Sequence, residues 1–246
     1  MIEINNISKS FGSFKAVDSL NLKINPGECF GLLGRNGAGK TTTIKMLVGL
    51  LKPDSGDILF DGLSIMNNSL QIKQELSYIP DSPYLYDKLT GMDFLFFVGY
   101  SFGMKKEEIK DKIKKYILLF DLEESINKKT EDYSHGMRQK LTFISALMHK
   151  PRYLIVDEPM VGLDPQSAKV VKDIIKIITK ESGTSVILTT HQLHVAAQVC
   201  DRIGIIHSGK LQVMLEGKES FTDNLEDEFI RLTGGYEVGD LKNLLK

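Results

Sequence analysis

The sequence predicts an α/β fold with a mainly parallel sheet, an N-terminal antiparallel β subdomain and an inserted helical subdomain. Short apolar runs at residues 29–34, 152–159 and 185–191 are typical of strands buried on both faces of a sheet. Segments with apolar residues at helical spacing lie between these runs, as in a parallel sheet whose strands are joined by helices. From residue 83 to about residue 150 aromatic and charged residues become more frequent, which indicates the helical insertion.

The first 30 residues are typical of strands with one buried face. Apolar and polar residues alternate there, and the apolar positions are Ile2, Ile4, Leu20, Leu22 and Ile24. The sequence Asn-Pro-Gly at residues 25–27 favours a turn, and residues 57–62 (DILFDG) return to the alternation of a strand.

Three further segments are predicted to be helices. Residues 41–51 and 168–180 carry apolar residues at helical spacing, and residues 105–122 form an amphipathic pattern with one apolar face. Residues 202–211 are expected to form a hairpin around Ser208 and Gly209.

Composition excludes several functional classes. Hydrophobic residues make up 42% and charged residues 26% of the 246 residues, which is ordinary for a soluble globular protein. The formal net charge of −1 argues against a nucleic-acid partner held by bulk charge. Two cysteines are too few for a disulfide framework and favour a reduced, intracellular compartment. The most apolar window, residues 94–104, is too short to span a bilayer, so we expect no membrane span in the chain.

Phosphate binding is the first chemistry that the sequence predicts. Residues 34–41 (GRNGAGKT) fit the pattern G-x-x-x-x-G-K-[ST] and lie between a buried strand and a helix. Glycines allow the backbone to approach phosphates, and the amides at the start of a helix favour anions. Lys40 is expected to reach the β- and γ-phosphates, and the hydroxyl of Thr41 to bind Mg²⁺. The candidate phosphate-binding residues of this segment are Gly34, Arg35, Asn36, Gly37, Ala38, Gly39, Lys40, Thr41 and Thr42.

Catalytic candidates follow the next two apolar runs. In LIVDEP (residues 154–159), Asp157 is expected to hold Mg²⁺ through water and Glu158 to act as general base on an attacking water. His191, after the third run, is placed to hydrogen-bond a γ-phosphate. Two surface acids and a structural histidine are the simpler interpretations, which the upstream P-loop disfavours. The predicted catalytic residues are therefore Glu158, His191 and Lys40.

Two polar residues are predicted to cap helices. Ser134 precedes a basic segment and the apolar run at residues 141–148, and Asp164 precedes Pro165 at an expected helix start. A cap at either position is compatible with a second, functional role, because a helix N-terminus favours anions.

The order and spacing of these motifs resemble an ATP-binding-cassette (ABC) ATPase. The motifs are the P-loop, the Ser-x-Gly segment at residues 134–136, LIVDEP, GLD at residues 162–164 and TTH at residues 189–191. The resemblance implies a P-loop NTPase fold with a RecA-like core. It covers residues 1–220 as one ATPase domain, with the helical subdomain at about residues 83–150, and leaves residues 221–246 as a short C-terminal extension.

The resemblance implies further site residues. Phe11 matches the family's aromatic residue that stacks on adenine, and its alternative is a core aromatic. Asp81 stands where most members carry glutamine, and it joins Thr41 and Asp157 as a predicted Mg²⁺-binding residue. The positions expected to face ATP held by an opposite subunit are Ser134, His135, Gly136 and Asp164. His135 stands where the family signature has a glycine. The altered pattern is similar to that of the ABC-2-type exporter branch.

The resemblance implies an ATP-hydrolysing subunit that powers a membrane transporter, and it favours an exporter over an importer. Two such subunits would hold two ATP–Mg²⁺ between them on the cytoplasmic side of the membrane. A separate integral membrane permease would dock on residues 82–97, although an ordinary buried helix explains the same aromatic residues. The alternative is a soluble ABC ATPase of translation or DNA repair, but this chain has one cassette and no heptad run.

Overall fold

The computed structural model describes residues 1–217, 221, 229 and 231, so most of the predicted C-terminal extension, including residues 224–228, lies outside the described residues. The strands of the described part are β1 (Ile2–Phe11), β2 (Phe14–Ile24), β3 (Cys29–Leu33), β4 (Ser55–Phe60), β5 (Leu63–Ser64), β6 (Leu76–Ile79), β7 (Tyr153–Asp157), β8 (Ser185–Thr190), β9 (Arg202–His207) and β10 (Lys210–Glu216). Its α-helices are α1 (Lys40–Leu47), α2 (Ser69–Glu75), α3 (Gly91–Ser101), α4 (Lys106–Leu119), α5 (His135–Leu147), α6 (Pro165–Ser182) and α7 (Leu193–Val199), with a short 3₁₀ helix at Thr130–Asp132.

The strands form two sheets, and the fold class predicted from the sequence is confirmed. The N-terminal sheet has the order β2-β1-β4-β5 and is antiparallel. The central sheet has the order β10-β9-β3-β8-β7-β6, and its five strands from β9 to β6 are parallel. β10 joins the edge by antiparallel pairing with β9, as the predicted hairpin requires.

The continuous apolar runs are explained by burial on both faces of the central sheet. Along β7, Leu154 and Val156 pack into one core with the inserted helices. Tyr153 and Ile155, which point the other way, pack into a second core with α1 and the N-terminal sheet. Because alternate residues enter different cores, no polar position interrupts the strand. The carboxyl ends of these strands meet at one edge of the sheet, where the candidate site residues follow them.

The helical insertion consists of α3, α4, the 3₁₀ helix and α5. Thr90 begins α3 with a capping box, in which its hydroxyl accepts from the backbone of Asp93 and the Asp93 carboxylate accepts from the backbone of Thr90. Of the predicted apolar face of residues 105–122, Ile109, Ile113 and Phe120 are buried, and Tyr116 and Ile117 are partly buried. The subdomain boundaries at residues 83 and 150 stay a prediction.

Two helix ends differ from those that apolar spacing predicted. Helix α1 ends at Leu47 and not at residue 51, because Gly49 takes a positive φ of 69° and stops the helix. Helix α6 begins at Pro165, three residues earlier than the apolar pattern indicated, and this confirms the start predicted from the cap at Asp164. The short elements α2, β6 and α7 were missed, since each is too short to show a periodic pattern.

Candidate active site

The P-loop connects β3 to α1 in a conformation that requires glycine. Gly39 has a φ of 110°, and a Cβ atom there would lie 2.5 Å from the carbonyl oxygen of Ala16. A Cβ on Gly34 would lie 2.4 Å from the carbonyl oxygen of Ile206. Side chains at either position would therefore push apart the backbone segments that pack around the loop.

Lys40 is buried at the start of α1, with its ammonium group turned back into the loop. Its Nζ atom donates to the carbonyl oxygens of Gly34 at 2.7 Å and Arg35 at 3.3 Å. Burial lowers the pKa of Lys40, while the nearby carboxylates Glu158 and Asp157 act in the opposite direction. The hydrogen bonds that Lys40 makes to described residues end on neutral carbonyl groups, and it can exchange these for phosphate oxygens because charge-assisted hydrogen bonds are the stronger ones.

Asp157, at the end of β7, is the most deeply buried carboxylate of the site, with 1% of its surface exposed. The buried Thr189 hydroxyl donates to its Oδ1 atom, whereas Oδ2 is buried without a hydrogen-bond partner among the described residues. Burial raises the pKa of Asp157, the hydroxyls of Thr189 and Thr41 lower it, and the Asp81 and Glu158 charges raise it further.

These residues fit a bound Mg²⁺. An unpartnered carboxylate oxygen beside a threonine hydroxyl offers the hard oxygen ligands that this ion prefers. No group of three or more His, Cys, Asp or Glu residues is suited to hold a metal in the described part of the chain. Mg²⁺ at this point would therefore depend on phosphate oxygens and water for its remaining ligands.

Glu158 takes a positive φ of 49°, which is strained for a residue with a side chain. Its backbone amide donates to the carbonyl oxygen of Thr189 at 3.1 Å, which holds this conformation. The Oε1 atom lies 2.9 Å from Nδ1 of His191, the residue that follows β8. The carboxylate is thereby directed by a histidine, an arrangement suited to activating a water molecule.

A cavity of about 450 Å³ brings most of these residues together. Its lining comprises Phe11, Phe14, Ala16, Arg35, Asn36, Gly37, Gly39, Lys40, Thr41, Thr42, Asp81, Asp157 and Glu158. Gly34 and Ala38 are buried residues of the loop itself, and His191 contacts Glu158, which lines the cavity.

Two residues placed by resemblance also line the cavity. Phe11 is 53% exposed, so its interpretation as a core aromatic is wrong. Asp81, two residues after β6, accepts a hydrogen bond from the backbone of Ser82 at 2.7 Å. A carboxylate lies here where an amide was the family expectation, and it adds negative charge near Asp157.

Four candidate residues lie away from this cavity. Ser134 caps α5, where its hydroxyl accepts from the backbone of Met137 at 3.3 Å, and the predicted cap is confirmed. His135 and Gly136 pack on the loop after Glu158, since a Cβ on Gly136 would lie 2.8 Å from the Gly162 carbonyl oxygen. A Cβ on Gly162 would in turn lie 2.0 Å from the His135 ring. The two glycines therefore allow the start of α5 and this loop to pack directly together.

Asp164, the fourth of these residues, caps α6 as predicted. Its carboxylate accepts from the backbone amide of Ser167 at 2.8 Å and from the Ser167 hydroxyl at 2.7 Å. These hydrogen bonds lower the pKa of Asp164 to about 2, and Lys140 at 3.3 Å contributes. The carboxylate is thus engaged within its own chain.

Three residues of the site escaped sequence reasoning. Phe14 and Ala16 line the cavity from β2, and Thr189 orients Asp157. An aromatic residue just after the Gly12-Ser13 turn was a usable signal for Phe14. Thr189 had none, because its position opposite Asp157 arises from the pairing of β8 with β7.

Comparison with known proteins decides the family. A family model described as ABC transporter matches residues 17–161. The chain belongs to the ABC transporter family. Linearmycin resistance ATP-binding protein LnrL of Bacillus subtilis (strain 168) is 39% identical over 211 residues, which cover 86% of this chain and 68% of that protein. Bacitracin transport ATP-binding protein BcrA of Bacillus licheniformis is 37% identical over 211 residues, with coverage of 86% and 68%.

A solved structure agrees with this assignment. A structure described as the ATP binding subunit of an ABC transporter superposes with a TM-score of 0.83 at 28% sequence identity, and covers 100% of this chain and 99% of that one. As an ABC transporter ATP-binding protein, the chain is an ATPase. Within its described residues, no helix combines the length and apolar character needed to cross a membrane.

Proposed function

We propose that this ABC ATPase powers a membrane exporter, and that two chains close on ATP to form two complete sites. The observation that carries the proposal is the division of the candidate residues. One group lines a single cavity, and the group formed by Ser134, His135, Gly136 and Asp164 lies outside it. The export direction draws support from similarity to proteins named for linearmycin resistance and bacitracin transport.

Binding begins at the P-loop. The backbone amides of the loop and the start of α1 receive the phosphates, and Lys40 leaves the Gly34 and Arg35 carbonyl oxygens for the β- and γ-phosphates. Thr41 and Asp157, with Asp81 nearby, would hold Mg²⁺, which supplies charge neutralisation at the phosphates when bound. Phe11 stacks on the base at the far end of the cavity.

Hydrolysis uses the pair formed by Glu158 and His191. The Glu158 carboxylate takes a proton from a water molecule as the oxygen of that water attacks the γ-phosphorus. The bond between the γ-phosphorus and the oxygen that bridges it to the β-phosphate then breaks. His191 keeps Glu158 oriented through the 2.9 Å contact at Nδ1. Its other ring nitrogen has no hydrogen-bond partner in the described part of the chain, and we assign it to the γ-phosphate.

The start of α5 completes the site of an opposite chain. Ser134 and the following amides present a helix N-terminus, which favours a γ-phosphate of the partner-bound ATP. Closure then follows from the higher affinity of ATP for the closed dimer than for separate chains. Asp164, which fixes α6 beside this helix through Lys140, helps to position that surface.

An exposed aromatic surface is the proposed docking place for an integral membrane permease. Tyr84 is 85% exposed, and the half-exposed rings of Tyr86 and Phe97 contact each other at 5.3 Å. Tyr84 lies three residues after Asp81, which lines the nucleotide cavity. Residues 81–86 thus connect the nucleotide to this surface over a short stretch of backbone.

Complementation between inactive chains tests the dimer. Ser134→Arg blocks the partner-facing surface, and Lys40→Ala blocks the P-loop. Each chain alone is expected to be inactive. A one-to-one mixture should recover about a quarter of wild-type single-turnover hydrolysis, because half of the dimers are mixed and each contains one intact site. A mixture no more active than its components contradicts the shared site.

The permease is tested by purification from membranes. Paired substitution Tyr84→Ser and Tyr86→Ser should abolish co-purification of an integral membrane protein and leave the ATPase rate of the isolated chain unchanged. Capture of ribosomes instead, with no membrane protein, would favour the soluble alternative.

A further inference from the structure

We propose that Phe14 is a second aromatic contact of the nucleobase, so that the base is held between two rings by stacking and without selection between purines. The inference rests on the nucleotide-binding role proposed above and deepens it. It concerns a residue that the family resemblance did not mark.

The turn between β1 and β2 places two rings at one end of the cavity. Phe11 and Phe14 are direct cross-strand partners on either side of Gly12 and Ser13. Both line the cavity, and they are 53% and 59% exposed. Two large aromatic side chains this exposed at one turn leave apolar surface that a flat, aromatic ligand would cover.

One face of Phe11 is already occupied. The ammonium nitrogen of Lys9 lies 6.0 Å from the centre of the Phe11 ring, and it is held there by Asp54 at 2.6 Å. Phe11 therefore offers a base its opposite face. In the described part of the chain Phe14 has no ring or cation contact, so its surface is open to the ligand.

The chemistry of the lining indicates how the base is recognised. The residues that β1 and β2 contribute to the cavity are Phe11, Phe14 and Ala16, none of which has a polar side chain. Polar side chains of the lining come from the P-loop, the start of α1, the segment after β6 and the end of β7 with the residue that follows it. Stacking without hydrogen-bond readout tolerates different bases. The site should therefore accept adenine and guanine nucleotides with similar affinity.

The test measures equilibrium dissociation constants by calorimetry for ATP, GTP and inorganic triphosphate, each with Mg²⁺. Phe14→Ala should weaken ATP and GTP about tenfold, the loss expected for one stacking contact. Inorganic triphosphate, which lacks a base, should bind as it does to wild type. Phe14→Leu should behave like Phe14→Ala because it keeps volume without an aromatic ring, and Phe14→Tyr should restore affinity. Leu70→Ala, which removes an exposed apolar side chain elsewhere, is the control.

Two results overturn the inference. One is unchanged ATP affinity in Phe14→Ala, and the other is an equal loss for ATP and inorganic triphosphate, which would indicate a distorted P-loop. A wild-type chain that binds ATP but fails to hydrolyse it would contradict the proposed function. The ratio of the dissociation constants of Phe14→Ala and wild type would still test the role of Phe14.

Discussion

The nucleotide cavity and the signature surface, defined as Ser134, His135, Gly136 and Asp164, are built in opposite ways. In the cavity, Asp157 is buried with one oxygen unpartnered, and Lys40 is buried against neutral carbonyl groups. On the signature surface, Ser134 and Asp164 are exposed and both already accept hydrogen bonds from their own helices.

The difference concerns the free energy of folding. Buried charges without matched partners destabilise a fold, and a ligand that pairs with them removes this destabilisation when it binds. Helix caps stabilise a fold and hold a surface rigid. The cavity is therefore prepared for a cation and phosphates, whereas the signature surface is a preformed surface, as the contact that we propose with another chain's ligand requires.

The largest effect is expected at Glu158. Glu158→Gln should lower the ATP turnover rate about 10²- to 10⁴-fold, because a general base is removed, with ATP binding retained. The control is Glu124→Gln, which alters an exposed carboxylate outside the cavity. Hydrolysis at the wild-type rate would show that another group activates the water.

The next largest effect is expected at Lys40, the lysine of the P-loop. Lys40→Ala should weaken ATP binding by about 10- to 100-fold, the loss of one charge-assisted hydrogen bond. Calorimetry with ATP measures it, and Lys45→Ala on the exposed side of α1 is the matched control. Equal affinities for wild type and Lys40→Ala would contradict the assigned role.

Asp157 should show opposite effects on stability and activity. Asp157→Asn should abolish Mg²⁺-dependent hydrolysis and raise the melting temperature at pH 7 by about 2–4 °C, as about 1 kcal/mol does in a chain of this size. The raised folded pKa of Asp157 means that the folded chain binds the proton more tightly than the unfolded one. The stability gain should therefore vanish below pH 3.8 and grow as pH rises through the folded pKa. A lower melting temperature in the variant would contradict the burial argument.

Asp164 provides the smallest effect and the sharpest contrast. Asp164→Ala should reduce the free energy of unfolding by about 1 kcal/mol through loss of a helix cap, with ATP affinity of the single chain unchanged. Because its folded pKa is lowered to about 2, the contribution is present above pH 3.8 and should be lost as pH falls through 2. Asp164→Asn keeps an acceptor oxygen and is expected to retain most of the stability in chemical denaturation. Weakened ATP binding in single chains of Asp164→Ala would place this residue in the cavity's own site.

The sequence by itself determined the fold class and the phosphate chemistry. Continuous apolar runs identified strands buried on both faces, and residues 34–41 identified the P-loop, because both signals are local in the chain. Helix caps at Ser134 and Asp164 were also predictable, since a cap depends on neighbouring residues alone.

Only the tertiary structure decided which side chains meet. Thr189 reaches Asp157 because β8 pairs in parallel with β7, and His191 reaches Glu158 for the same reason. Phe14 joins Phe11 in the cavity because the β1–β2 turn lies beside the P-loop. The family resemblance implied that Ser134 and Gly136 face another subunit's ATP, and the structure shows that they do not line this chain's cavity. Strand pairing and the packing of distant segments set these distances, and neither is specified by residues adjacent in the chain.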